Sequence, residues 1–194
     1  MSDDAYEQLK TLSFPKEDFR ETLRQKLSVM PKKPKTDLDV YNSLTTENPE
    51  LAAIAMIETS GGKNLKHKLD PKSGMTAGGM FGMMPGTASD VVRLDSTMAK
   101  KYPDIVEYTK NLKESHPKIT EFFNTNPEAA VEFAMSHYNR AKSKLGDHES
   151  TAYGWFNGIN GSLKAQKQPG KIANHDYVKK FRQYLKNKPM VAKE

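Results

Sequence analysis

The sequence predicts an all-α protein, because apolar residues recur at helical spacing along most of the chain and strict alternation appears nowhere. Two segments also carry the same start signal, an asparagine to cap, a proline for the first helical position and a glutamate for the positive end of the helix dipole. They are Asn48-Pro49-Glu50 and Asn126-Pro127-Glu128.

Taken in order, Phe19, Leu23 and Leu27 fall four apart and give a short amphipathic helix after Pro15. Pro31 and Pro34, interleaved with Lys32, Lys33 and Lys35, read as a stiff linker. The helix from Pro49 then runs LAAIAMI from Leu51 to Ile57, which is apolar on nearly every face and therefore expected to be buried. It ends at Glu58, ahead of Thr59, Ser60, Gly61 and Gly62. From Gly61 to Gly86 glycine and methionine are frequent and the chain has loop character, and helical spacing resumes after Thr87. The helix after Asn126 carries Val131, Phe133, Ala134, Met135 and Tyr138 toward Gly146. Another holds Ala152, Tyr153, Trp155 and Phe156 and closes at Asn157 and Gly158, and a last one uses Tyr177, Val178, Phe181, Tyr184 and Leu185. The expected organisation is an extension and linker over 1–46, one domain over 47–188 and a tail over 189–194.

Bulk properties exclude some functions. No apolar run is long enough to cross a bilayer. There is no cysteine, so thiolate chemistry and disulfides are absent. A formal net charge of +6 favours anionic polymers as partners, among them nucleic acid, acidic lipid and the bacterial wall. The positive charge is diffuse and no recognition motif accompanies it, which disfavours nucleic acid. His67, His116, His137, His148 and His175 lack metal-ligand spacing, so no metal is expected, and no phosphate-loop pattern supports a nucleotide or other cofactor. His67 is expected to be a solvated loop residue. The beginning of the chain shows no basic segment followed by an apolar stretch, so no secretory signal is expected.

Glu58 is the candidate catalytic group. A carboxyl at the end of a buried apolar helix loses solvation, which raises its pKa and makes it usable as an acid near neutrality. The same local pattern also fits a glutamate that faces solvent at a helix end.

Three segments in order, IETSGGKN from Ile57, GGMFGMMPGTA from Gly78 and AYGWFNG from Ala152, resemble the signature blocks of the soluble lytic transglycosylase domain, glycoside hydrolase family 23. The resemblance spans about residues 48–185. It implies a lysozyme-like helical domain with Glu58 as the catalytic glutamate and Ser60 as the serine near it. Substrate contacts would come from Ser60, Gly79, Met80, Phe81 and Met84 and, in the third block, from Tyr153, Trp155 and Asn157. Gly82 stands where the family has glutamine. The third block admits two registers: anchoring on Gly158 puts Trp155 in place of the family tyrosine, whereas matching Ala152 and Tyr153 leaves an insertion before Asn157.

The resemblance implies cleavage of the β-1,4 bond between N-acetylmuramic acid and N-acetylglucosamine in peptidoglycan, leaving an anhydromuramoyl end. Asp70 and Asp90 are the acids that would favour a muramidase hydrolysis instead if either reached Glu58. Asp70 also reads as a turn former before Pro71, and Asp90 as surface charge. A wall-binding or structural virion module without turnover is the alternative from another class. The absence of a signal and of disulfides, with a short helical leader, fits bacteriophage equipment. Such an enzyme is a virion-associated protein or an endolysin held in the host cytoplasm until lysis, with the leader as a tether to other virion proteins.

Overall fold

A computed structural model describes residues 35–187. The chain divides into two units at Pro34 and Lys35, and the described residues belong to the second. The amphipathic helix expected around Phe19 and most of the Pro/Lys linker lie outside them.

The central element is the apolar helix that the sequence marks most clearly. We number helices in chain order, with α1 at Asp37–Glu47 and α2 at Pro49–Thr59. Asn48 caps α2 through its side-chain oxygen, which accepts from the Leu51 amide at 3.0 Å. Because α2 is apolar around its circumference, neighbours cover it on several sides: α1, α7 (Pro127–Leu145) and α10 (Asp176–Lys186) all pack against it. Leu51, Ile54 and Ala55 have no exposed surface.

One correction concerns the boundary. Residues 37–46, assigned from sequence to the extension, belong to α1, whose Val40 and Leu44 are buried in the main core. The helix begins in a capping box: Thr36 accepts from the Asp39 amide and Asp39 accepts from the Thr36 amide. The domain therefore starts near Lys35.

Beyond the loop at 60–84, α3 (Pro85–Leu94), α4 (Ser96–Lys101), α5 (Pro103–Thr109) and α6 (Leu112–Thr125) fold against one another and against α7. Phe123 and Phe133, from α6 and α7, meet edge to face with centroids 5.0 Å apart. The helix α8 (His148–Asn157) packs on α7, α9 (Ile159–Gln166) and α10. Proline starts α7 as expected, but Asn126 does not cap it; its amide instead donates to Phe122 O at 2.9 Å.

Among the described residues there is no strand. The 60–84 loop makes two isolated antiparallel bridges, Leu69 with Thr76 and Gly78 with Met83. Its conformation is fixed by polar ties to helices. Thr59 Oγ1 donates toward Met80 O at 2.7 Å, Thr120 Oγ1 donates to Thr76 O at 2.7 Å, and the Gly79 amide donates to Asn124 Oδ1 at 2.8 Å. Gly78 lies so close to α6 that a Cβ there would come within 2.5 Å of Thr120 O. No helix of the described residues is long and apolar enough to cross a membrane.

Thr59 is 2% exposed, and its hydroxyl joins the end of α2 to the loop. Thr59→Val keeps the shape but leaves Met80 O without that donor, and a loss of about 1–3 kcal/mol is expected. Urea unfolding measures it; a change below about 0.5 kcal/mol would show that the tie carries no stability.

Candidate active site

Glu58 sits one residue before the end of α2, where the helix stops because Ser60 adopts a left-handed conformation, φ 56°. The carboxyl is half-buried. Tyr177, near the start of α10, donates its hydroxyl to Glu58 Oε1 at 2.7 Å. Tyr177 is itself 7% exposed, so this hydrogen bond lies at the buried seam where α10 meets α2.

The other carboxylate oxygen faces the loop. Gly82 has φ 59°, and a Cβ built on it would lie 3.0 Å from Glu58 Oε2 and 3.2 Å from His67 Cε1. A glutamine at this position, as the resemblance implies, would be strained by the positive φ and would press on both groups. Glycine here supplies the positive φ and leaves room for the carboxyl and the imidazole. His67, expected from sequence to be solvated, is half-buried, with Nε2 3.0 Å from Gly79 O. A carbonyl only accepts, so Nε2 carries the proton.

Burial pushes the Glu58 carboxyl above the ordinary glutamate range, and the Tyr177 hydrogen bond, which favours the ionised form, pulls part of the way back. The Tyr177 phenol is raised well above its usual value by its own burial, then by the charge and hydrogen bond of Glu58. Tyr177 therefore stays a neutral donor. These environments leave a protonatable carboxyl at the surface end of a buried helix.

The remaining sequence candidates divide sharply. Met80 and Phe81 have no exposed surface and belong to the core, which corrects their expected substrate contacts. What they offer is carbonyls: Met80 O accepts from Thr59, and Phe81 O accepts from Trp155 Nε1 at 3.2 Å. Gly79 is buried and uses both its amide and its carbonyl inside the loop. Met84 is half-buried at the start of α3.

Tyr153, 6% exposed, packs with Ala165 and Val178, so it too is a packing residue. Trp155 is wedged beside Phe81 and edge to face with His137 at 5.1 Å, and it braces the loop rather than presenting an open ring. Burial, with the nearby Arg140 charge adding to it, holds His137 down at about 4. Asn157 is exposed at the last position of α8, and Ser60 is exposed beside a depression between α1, α2 and α10.

The third-block aromatic left open is Phe156, 58% exposed. Its ring lies 5.5 Å from Tyr177 and 5.2 Å from His175. Of the three aromatic residues in this stretch Tyr153 is buried, Trp155 half-buried and Phe156 exposed, an order that no periodicity predicts. Phe156, Tyr177 and Ile57 share a depression of about 460 Å³ with Asn174, His175, Asp176 and Lys180. Glu58 lines neither depression: the Ser60 depression, about 480 Å³, lies along α2, and the other includes Tyr177, whose hydroxyl donates to Glu58.

Asp70 and Asp90 are engaged elsewhere. Asp70 accepts from the Ser73 hydroxyl at 2.6 Å and from the Lys72 and Ser73 amides, closing its own turn. Asp90 pairs with Arg93 at 2.7 Å and lies 4.0 Å from Arg140. Among the described residues no three His, Asp or Glu side chains are grouped as a metal site.

Compared with family models, curated proteins and solved structures, the chain matches none.

Two measurements follow the titration of Glu58. Its folded pKa is raised, so the unfolded chain loses the proton first as pH rises. The stability this group contributes is full below the ordinary value of 4.5 and is lost as pH rises through the folded value. Glu58→Gln should therefore gain stability over the wild type with rising pH, and a gain that shrinks as pH rises would contradict the assigned shift. In Tyr177→Phe the ionised form loses its donor, so carboxyl NMR should report a Glu58 pKa above the wild-type value; a lower value would refute the hydrogen bond's role.

Proposed function

We propose that this chain is a peptidoglycan lytic transglycosylase in which Glu58 acts as both acid and base. The observation that carries the reading is the Glu58 carboxyl, half-buried, raised in pKa, held by Tyr177 and with no partnered carboxylate among the described residues. A group of this kind suits proton donation to a glycosidic oxygen.

Retaining and inverting hydrolysis each call for a second carboxyl, as nucleophile or as base. Asp70 and Asp90 spend their oxygens on a turn and on arginines, so neither supplies it. Transglycosylation dispenses with that group. Glu58 gives its proton to the oxygen leaving C1 of N-acetylmuramic acid, the glycosidic bond breaks, and the carboxylate then takes the proton of the C6 hydroxyl on the same sugar. That oxygen bonds to C1 and closes the anhydro ring, and Glu58 is protonated again. The attacking hydroxyl is already tethered, an advantage equivalent to effective concentrations of about 10⁵ M or more in well-oriented cases. Tyr177 supports the proton-donating half of the cycle, because its hydroxyl donates to the carboxylate once the proton has left.

The ordered resemblance in the three blocks points to the same chemistry, and Gly82 fits it as a local exchange of side chain for room around Glu58. A phage enzyme, acting on the wall at entry or lysis, is the setting we propose.

Digestion of purified sacculi followed by mass spectrometry tests the reaction. Soluble anhydromuropeptides are expected from the wild type, and Glu58→Gln should slow their release by about 10²–10⁴-fold. Muramic acid with a free reducing end would replace the reading by hydrolysis, and binding without any release would replace it by a wall-binding module.

A further inference from the structure

We infer that His67 is a second catalytic residue: across the space that Gly82 leaves open, its Nδ1 accepts from the hydroxyl released when the glycosidic bond breaks, and so frees Glu58 for its second proton transfer. The inference rests on the glycan-cleaving reading of Glu58 and adds a group that lies outside all three sequence blocks.

Two polar groups border one small space. A Cβ on Gly82 would lie 3.0 Å from Glu58 Oε2 and 3.2 Å from His67 Cε1, so the carboxyl and the edge of the imidazole approach the same point from two sides. Glycine leaves that point empty, and Glu58, His67 and Gly82 each keep part of their surface exposed, so an atom of a ligand has access to it. The atoms that face it are uncommitted. Among the described residues Glu58 uses Oε1 for the Tyr177 hydroxyl and Oε2 for no hydrogen bond, and His67 uses only Nε2, 3.0 Å from Gly79 O. That carbonyl holds the ring proton on Nε2, and Nδ1, bonded directly to Cε1, is left with a lone pair.

The order of proton transfers gives this lone pair a task. Oε1 is occupied as an acceptor, so the acidic proton of Glu58 sits on Oε2, and Oε2 is the atom that protonates the glycosidic oxygen. When the bond from C1 breaks, that oxygen becomes a hydroxyl of the departing sugar and lies against the carboxylate it has just discharged. As long as it donates back to Oε2, it competes with the C6 hydroxyl whose proton Oε2 must take next. An acceptor on the opposite side of the space removes the competition. The released hydroxyl turns its hydrogen to His67 Nδ1, no proton moves to the ring, and Oε2 then receives the C6 proton while O6 bonds to C1. Tyr177 offers no such help, because its hydroxyl donates on the other carboxyl oxygen.

The test compares two leaving groups in the full chain. One substrate is a peptidoglycan tetrasaccharide, whose leaving group is a sugar hydroxyl; the other is the 4-nitrophenyl glycoside of the N-acetylglucosaminyl-N-acetylmuramoyl disaccharide, whose phenolate departs without needing to keep a proton. His67→Gln retains an amide donor for Gly79 O and removes Nδ1. It should lower kcat on the tetrasaccharide about tenfold with little change in KM, and leave the nitrophenyl glycoside within about twofold of the wild type. Equal slowing on both substrates, or none on either, would overturn the inference, while loss of tetrasaccharide cleavage in Glu58→Gln leaves the reading of Glu58 standing. A wild type that cleaves neither substrate overturns both. The imidazole 15N spectrum of the wild type needs no variant: it should show the proton on Nε2 and a bare Nδ1, and a proton found on Nδ1 instead overturns the inference whatever the kinetics.

Discussion

The contact on which the site depends joins residues 119 positions apart, the hydroxyl of Tyr177 and the carboxyl of Glu58. It exists only when α10 lies against α2, a docking driven by Phe181, which has no exposed surface and shares the main core with α2, while Val178 packs toward Tyr153 and Ala165. Two opposing effects then meet on one carboxyl. Closing α10 over the end of α2 removes water from Glu58 and favours its neutral form, while the phenol that arrives with α10 favours the charged form. Burial wins, but the donor keeps the ionised state accessible. A group that must give up a proton and recover it within one cycle is served by this balance.

The loop at 60–84 completes the site by backbone more than by side chains. Its hydrophobic residues Met80, Phe81 and Met83 turn into the core, and its carbonyls accept from Thr59, His67 and Trp155. A segment with almost no regular hydrogen bonding is thereby satisfied from the helices around it. Gly82 is left against Glu58, with the His67 imidazole as its other neighbour. The aromatic opening on the far side of Tyr177 belongs to α8, so three parts of the chain meet around the Glu58 carboxyl: α2 with its loop, α8 and α10.

Much of this was legible where local chemistry leaves a mark. The Asn48-Pro49 start and the uninterrupted apolar run identify α2 and place Glu58 at its end, because capping and burial act over a few residues. The boundary near Lys35 was missed, because α1 has a weak apolar pattern with only Val40 and Leu44 buried and the prolines before it read as linker; its one local mark is the Thr36 and Asp39 capping box. Tyr177 looked like one more core aromatic, since no spacing in the sequence connects it to Glu58. His67 was obscured for the same reason: its partner, Gly79 O, is chosen by the folding of the loop. Tyr153, Trp155 and Phe156 are neighbours on one helix, and only the packing of α9, α10 and the loop decides that the first is buried, the second half-buried and the third open.

The central claim is that the protonated form of Glu58 is the working acid. The pH dependence of kcat/KM for sacculus cleavage, overlaid on the NMR titration of the Glu58 carboxyl in the same protein, addresses it directly. The account predicts that the alkaline fall in turnover coincides with the loss of the Glu58 proton, above the ordinary value of 4.5. Turnover that persists after Glu58 has ionised would contradict it.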